Sequence, residues 1–280
     1  MNLKTLHLFE KLLHCVVRIE ALRNGQSFST GTGFAYNFTL DNGERFPAIV
    51  TNKHVLEGAD EISIPITPCD MDGEMEKGYR NIKLSLVEDF IYRHPDDVDL
   101  LAFPAHMFFE MLRPNGQQPG FVSLDPSILA TGETFKEVLP LDSLTMFGYP
   151  NGIWDKINNG AIARRGVIAN LPRHDFLGKP QFVVDMACFP GSSGSPIFLL
   201  DNGSYSDRQG NINLGTRVKL LGILYAGPQH TAAGQIIVQP IPTANVPMPI
   251  TGIPNNLGYA IKSTELIAIQ DVIRGKNPRT

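Results

Sequence analysis

The stretch Phe189–Phe198, FPGSSGSPIF, sets three serines among two glycines and two prolines. One reading is a plain turn of small residues. The other is a nucleophile in a backbone cradle. A serine hydroxyl attacks a carbonyl only when a base takes its proton, and the oxyanion that forms needs backbone N–H donors aimed at it. A glycine two residues before the serine lets the chain turn so that two N–H groups share one hole. A glycine just after leaves room for substrate. Gly191, Ser193 and Gly194 have that spacing. The hexapeptide alone leaves both readings open.

The surrounding sequence reads as strands. CVVRIEAL (15–22), TGFAYNF (32–38), FPAIVTN (46–52), EISIPI (61–66), IKLSLV (82–87) and VDLLAF (98–103) are short, rich in β-branched or aromatic residues, and separated by turn residues. RPNGQQPG (113–120) reads as a linker. SLTMFGY (143–149), GAIARRGVIANL (160–171), QFVVDMA (181–187), SPIFLL (195–200), VKLLGILYA (218–226) and LGYAIK (257–262) repeat the style. Two sets of about six strands predict an all-β chain of two small barrels or a sandwich pair, not βα units. Leu3, Leu6, Phe9, Leu12 and Leu13 predict a short amphipathic N-terminal helix. STELIAIQDVIRG (263–275) predicts a C-terminal one, with Ser263 as N-cap and Gly275 as stop. The segment 228–256 is long and proline-rich, as functional loops are.

Composition narrows the class. The chain has 280 residues, enough for one large domain or two packed halves, 19% charged residues and a formal charge of −4. Lys and Arg are scattered, so no nucleic-acid surface is expected. No apolar run approaches the length of a membrane span, and the N-terminal helix is not strongly basic, so no membrane contact is expected. Cys15, Cys69 and Cys188 are odd in number and widely spaced, which argues against a disulfide framework or a CxxC-type metal site. With no leader-like opening, the expected compartment is reducing and cytoplasmic, and the Asn-x-Ser/Thr triplets at Asn37 and Asn202 are read as chance.

Two further stretches carry reactive residues. VTNKHVLEGAD (50–60) holds His54, and RHPDDVDLLAF (93–103) holds Asp97 and Asp99. Alone, such a histidine is more often structural, and such an acidic pair is usually a solvated turn. Together with Ser193 they run in the order histidine, aspartate, serine, a known order for nucleophilic triads.

On these residues the chain resembles the trypsin-like serine peptidases, most closely the bacterial Deg/high-temperature-requirement branch. GTGFAYNF, IVTNKHVLEGADEISI, VDLLAF, GVIANL, VDMACFPGSSGSPIF, LLGILYAG and LGYAIKSTEL stand in that branch's order, over about residues 15–270. The resemblance implies two six-stranded antiparallel β-barrels with short terminal helices. Residues 1–112 would form the first half and 113–280 the second, together one peptidase domain with its site in the cleft between them. It implies His54 as general base and acid, Asp99 as its orienting partner, with Asp97 as competitor, and Ser193 as nucleophile. The N–H groups of Gly191 and Ser193 would form the oxyanion hole. Ala187, Tyr225, Ala226, Gly227 and Gly258 would line an uncharged specificity pocket for small or aliphatic residues. No metal or cofactor is implied; the partner is a protein or peptide substrate.

Ser192 departs from the digestive enzymes, which place there an aspartate that receives a newly cut N-terminus, so activation by N-terminal cleavage is not expected. Ser195 replaces a glycine, a modest change. No peptide-binding module is expected after the last helix. The rivals are a latent peptidase awaiting an activating protein partner in a stress or defence system, an esterase, and a non-catalytic binding module on the same fold.

Overall fold

The computed structural model describes residues 1–227, 229–233, 250–254 and 256–276. Alternating apolar residues in the first half form β1 (Val16–Arg23), β2 (Gln26–Thr39), β3 (Arg45–Thr51), β4 (Glu61–Ile66), β5 (Arg80–Ser85), β6 (Tyr92–Arg93) and β7 (Leu101–Pro104). They make one antiparallel sheet in the order β5-β4-β1-β2-β3-β7-β6. Strand β6 has no counterpart among the predicted strands: it is only two residues long, too short to leave a periodic signature.

The second half supplies β8 (Ser143–Gly148), β9 (Ile162–Ile168), β10 (Gln181–Asp185), β11 (Pro196–Asp201), β12 (Arg217–Ala226) and β13 (Leu257–Lys262). These close into a six-stranded antiparallel barrel ordered β8-β9-β10-β13-β12-β11. Full closure leaves this barrel without an unpaired edge strand. The chain is thus mostly β, in two units, as its strand pattern requires.

Each unit has its own core. Ile19, Ile49, Ile62, Ile64 and Leu101 fill the first, and Leu144, Phe182, Val184, Ile197 and Leu221 the second. A third cluster lies between them: Phe34, Tyr36 and Phe38 of β2 share it with Phe147, Phe198, Leu220 and Ile261 of the barrel. Burying one such side chain stabilises by about 1.5–3 kcal/mol, so this cluster couples the halves. The stretch 113–120 is more than a tether. Gln118–Pro119 pairs with Pro68–Cys69, and the following chain bonds to both units, through Leu124 N–H to Ala35 O and Ala130 N–H to Leu220 O.

The helices are α1 (Leu8–Leu13), α2 (Lys53–Leu56), α3 (His106–Leu112), α4 (Gly132–Glu137) and α5 (Leu266–Lys276). Helix α1 is shorter than the leucine spacing predicts: His7 caps it, and Met1–Leu3 instead bond to the 73–75 backbone. Two other details differ from expectation. Ser263 does not cap α5; its hydroxyl donates to Leu220 O at 2.6 Å, inside a short 3-10 turn over Ser263–Glu265. The helix also runs through Gly275 to Lys276. Among the described residues no helix is long and apolar enough to cross a membrane. Of the long segment 228–256, Gln229–Ala233 and Ile250–Pro254 pair antiparallel, and Asn256 O accepts from Met186 N–H; 228, 234–249 and 255 lie outside the described residues.

Candidate active site

His54 sits on α2, one turn beyond β3, where Val55 and Leu56 anchor it by burial. Asp99 lies just before β7, the neighbour of β3. Strand pairing therefore brings the two loops to one end of the sheet. There His54 Nδ1 lies 2.5 Å from Asp99 Oδ2, and the His54 backbone N–H donates to Asp99 Oδ1 at 3.1 Å. Both carboxylate oxygens are thus committed to one residue. Asn52, fully buried, donates its amide to Asp99 O at 2.7 Å. The Lys53 ammonium donates to the carbonyls of His94 and Asp96, both at 3.0 Å. Asp97 lines the cavity beside His54 but makes no hydrogen bond to it among the described residues.

Ser193 sits on the loop that enters β11. Its carbonyl accepts from Thr32 N–H at 2.8 Å, which pins it against the first half. Gly191 and Gly194 have φ of +86° and +87°, where a side chain is strained. At Gly194 a Cβ would also meet Thr32 O at 1.9 Å and Thr51 Oγ1 at 2.6 Å. The serine loop is therefore pressed onto the end of β3, three residues ahead of His54. Neither the Gly191 nor the Ser193 N–H donates to a backbone or side-chain acceptor among the described residues. No hydrogen bond joins Ser193 Oγ to His54 among the described residues. Such bonds are commonly long before substrate arrives.

Thr32 is a residue that sequence reasoning missed. It is fully buried, its hydroxyl donates to Gly191 O at 2.9 Å, and the same oxygen accepts from Tyr149 N–H at 3.1 Å. Thr51 Oγ1 in turn donates to Thr32 O at 2.7 Å. One threonine of the first half thus links three points around the serine loop. The only trace in sequence is its place between two glycines in GTGF.

Two cavities meet here. The larger, 650 Å3, is bounded by His54, Asp99, Asp97, Lys53, Lys179 and Tyr225. The smaller, 250 Å3, is lined by Cys188, Phe189, Pro190, Ser193 and the run Leu224–Gly227. Tyr225 belongs to both walls, and its hydroxyl donates to Gln181 Oε1. Burial, and next the negative charge of Asp99, raise the Tyr225 phenol above its ordinary pKa. Arg164 stacks over Phe189 at 4.9 Å and steadies that wall.

The smaller cavity holds part of the expected pocket set. Tyr225, Ala226 and Gly227 line it; Ala187 and Gly258 do not. The pleat of β10 continues past its end, so Val184, Met186 and Cys188 point inward and Asp185 outward. Cys188 thus lines this cavity, one residue on from Ala187. Gly258 stands behind it: a Cβ there would lie 2.5 Å from Cys188 Sγ. Burial pushes the Cys188 thiol up to about 11, with Arg164 partly opposing. Among the described residues no group of three or more His, Cys, Asp and Glu side chains is placed to hold a metal ion.

A family model described as the trypsin-like peptidase domain matches residues 31–204. Solved structures similar to the chain include the serine endoprotease from Yersinia pestis, at 14% identity and a TM-score of 0.49, covering 95% of this chain and 65% of that one. The apo MamO protease domain from Magnetospirillum magneticum follows at 13% identity and a TM-score of 0.43, covering 93% and 98%. The chain thus spans about two thirds of the Yersinia protein. No curated protein matches it. The family match includes the histidine, aspartate and serine stretches alike, and on that basis the chain belongs to the trypsin-like peptidase family.

Proposed function

We propose that this chain is a serine endopeptidase working through His54, Asp99 and Ser193. The observation that carries the reading is the 2.5 Å contact of His54 Nδ1 with Asp99 Oδ2, which leaves Nε2 as the free ring nitrogen. In this reading Asp99 holds the proton on Nδ1. His54 Nε2 takes the Ser193 proton as Oγ attacks the substrate carbonyl. The oxyanion is received by the open N–H groups of Gly191 and Ser193. His54 then gives its proton to the leaving amine, and an acyl-enzyme remains. Water, activated by the same imidazole, releases the acid and restores Ser193.

The uncharged 250 Å3 cavity beside Ser193 is the candidate site for the residue before the scissile bond. A lysine or arginine buried there would lack a carboxylate partner, at a cost of several kcal/mol. Cleavage after small or aliphatic residues is the specificity that follows. The three buried free thiols support a reducing, cytoplasmic setting. Assignment to the Deg branch rests on the order of the sequence motifs.

The test is labelling with an active-site fluorophosphonate. Wild type should label alone and Ser193→Ala should not. Labelling only on addition of a cell extract would move the reading to a latent enzyme with an activating partner. Equal labelling of both proteins would remove Ser193 as nucleophile.

A further inference from the structure

The loop that carries Asp99 is held from outside the reacting groups. Its first residue, His94, has a side chain only 1% exposed. The His94 N–H donates to Leu100 O at 3.0 Å and closes the loop across its neck. The ring makes two further contacts. Nδ1 accepts from Asp96 N–H at 3.1 Å, so the proton of the neutral ring sits on Nε2. Nε2 lies 3.2 Å from Glu265 Oε2, within ion-pair distance, and makes no aligned hydrogen bond among the described residues, so the carboxylate is the polar group that faces it. Glu265 belongs to the far end of the chain, in the turn that opens α5.

The helix itself reinforces this clasp. Leu266, Ile269 and Ile273, on one face of α5, share a core cluster with Tyr92, Leu100 and Ala102, which flank the aspartate loop. Lys276 stacks on Tyr92 at 5.3 Å. Gln270 and Arg274 bond to the backbone of Thr39. A buried imidazole with a carboxylate on one side and a loop N–H on the other is costly to leave half-paired. Its place is five residues from the Asp99 carboxylate, inside the turn that aims it.

We propose that His94 is a positioning residue for Asp99: held between Glu265 and the Asp96 N–H, it fixes the 94–99 turn and so sets the His54–Asp99 contact. The proposal rests on the triad reading above. It makes α5 and the turn before it part of the active-site scaffold, although neither makes a hydrogen bond to His54, Asp99 or Ser193 among the described residues.

The experiment compares His94→Ala, His94→Gln and Glu265→Gln with wild type. His94→Gln keeps a donor toward Glu265, and Glu265→Gln keeps an acceptor toward His94. Two readouts are taken on folded protein, checked by thermal unfolding. The first is kcat and KM on a peptide substrate. His94→Ala should lose about 10²-fold in kcat, the scale of a misplacement of about 1 Å, with KM unchanged. His94→Gln and Glu265→Gln should recover most of that loss. The second is the low-field proton resonance of His54 Nδ1–H at acid pH, which reports the contact with Asp99 directly. It should shift or broaden in His94→Ala. A folded His94→Ala with wild-type kcat and an unmoved resonance would overturn the proposal. Should His94→Ala fail to fold, the resonance in Glu265→Gln against Glu265→Ala decides: an unmoved signal in both overturns it. The resonance does not require turnover. A wild type that never labels with fluorophosphonate would sink the peptidase reading, while the resonance would still decide the role of His94.

Discussion

The two sides of the cleft are built on opposite plans. On the His54–Asp99 side the polar groups are tied up. Both carboxylate oxygens meet His54, the Asp99 carbonyl meets Asn52, and Lys53 bridges two carbonyls of the same loop. On the Ser193 side two adjacent donors, the N–H groups of Gly191 and Ser193, stay open among the described residues, and the loop is steadied from behind by Thr32. The difference matches the proposed roles. A base must be oriented before reaction, since a turned imidazole presents the wrong nitrogen. An oxyanion hole must be empty before reaction, since its donors act on charge that develops only in the transition state.

The largest effect expected is on the serine side. Ser193→Ala should lower kcat by about a million-fold, the scale of nucleophile loss in serine peptidases, with an unchanged unfolding midpoint. Retained turnover would move the nucleophile to Ser192 or Ser195. On the opposite side, Asp99→Asn should cost about 10⁴-fold, as the corresponding change does in trypsin. Asp97→Asn should cost far less. Kinetics that rank these two the other way would shift the aspartate by two residues.

Thr32 tests whether the rear support matters. Thr32→Val removes the hydroxyl that holds Gly191 O, while Thr32→Ser keeps it. The valine variant should lose about 10²-fold in kcat, comparable with loss of one oxyanion donor. It should also bind a peptide boronate more weakly, and the serine variant should recover most of both. Equal behaviour of the two would leave Thr32 as packing alone.

The pocket allows a smaller test. In Gly258→Ala the new methyl should drive the Cys188 thiol into the 250 Å3 cavity. Preference before the scissile bond should shift toward alanine and glycine by about tenfold, the scale of a methylene or two in an apolar pocket. A peptide-library profile identical to wild type would show that the cavity is not the specificity pocket.

The smallest effect is on stability at high pH. Burial holds the Cys15 and Cys188 thiols and the Tyr36 and Tyr149 phenols above their ordinary values of 9.0 and 10.0. The unfolded chain releases these protons first, so the folded state binds more protons above pH 9. Stability is then full below about pH 9 and falls as pH rises, for Cys188 through its value of about 11. Urea midpoints measured from pH 8 upward should decline, and Cys188→Ala should flatten part of the slope. A midpoint that stays level past pH 10 would contradict the burial of these groups.

Strand positions were legible because pleat and burial share one period. CVVRIEAL, EISIPI and SLTMFGY fall on β1, β4 and β8 within a residue or two. The ends of helices were less legible. Ser263 has the chemistry of an N-cap, but its hydroxyl found a carbonyl of β12 instead, a partner far away in the chain. Cys188, one residue beyond Ala187, lines the smaller cavity, because the pleat sets which way a side chain faces and distance along the chain does not. Thr32 left almost no signal, since its partners Gly191 and Tyr149 are more than a hundred residues away.

The sequence by itself determined the β class, the approximate strands, and the order of histidine, aspartate and serine, because alternation and turn chemistry are local. Only the tertiary structure decided that Asp99 and not Asp97 meets His54, that Cys188 faces the cavity, and that Thr32 and α5 brace the two loops. Each of these depends on which groups meet across strands and halves, and a contact between distant segments leaves no period in the chain.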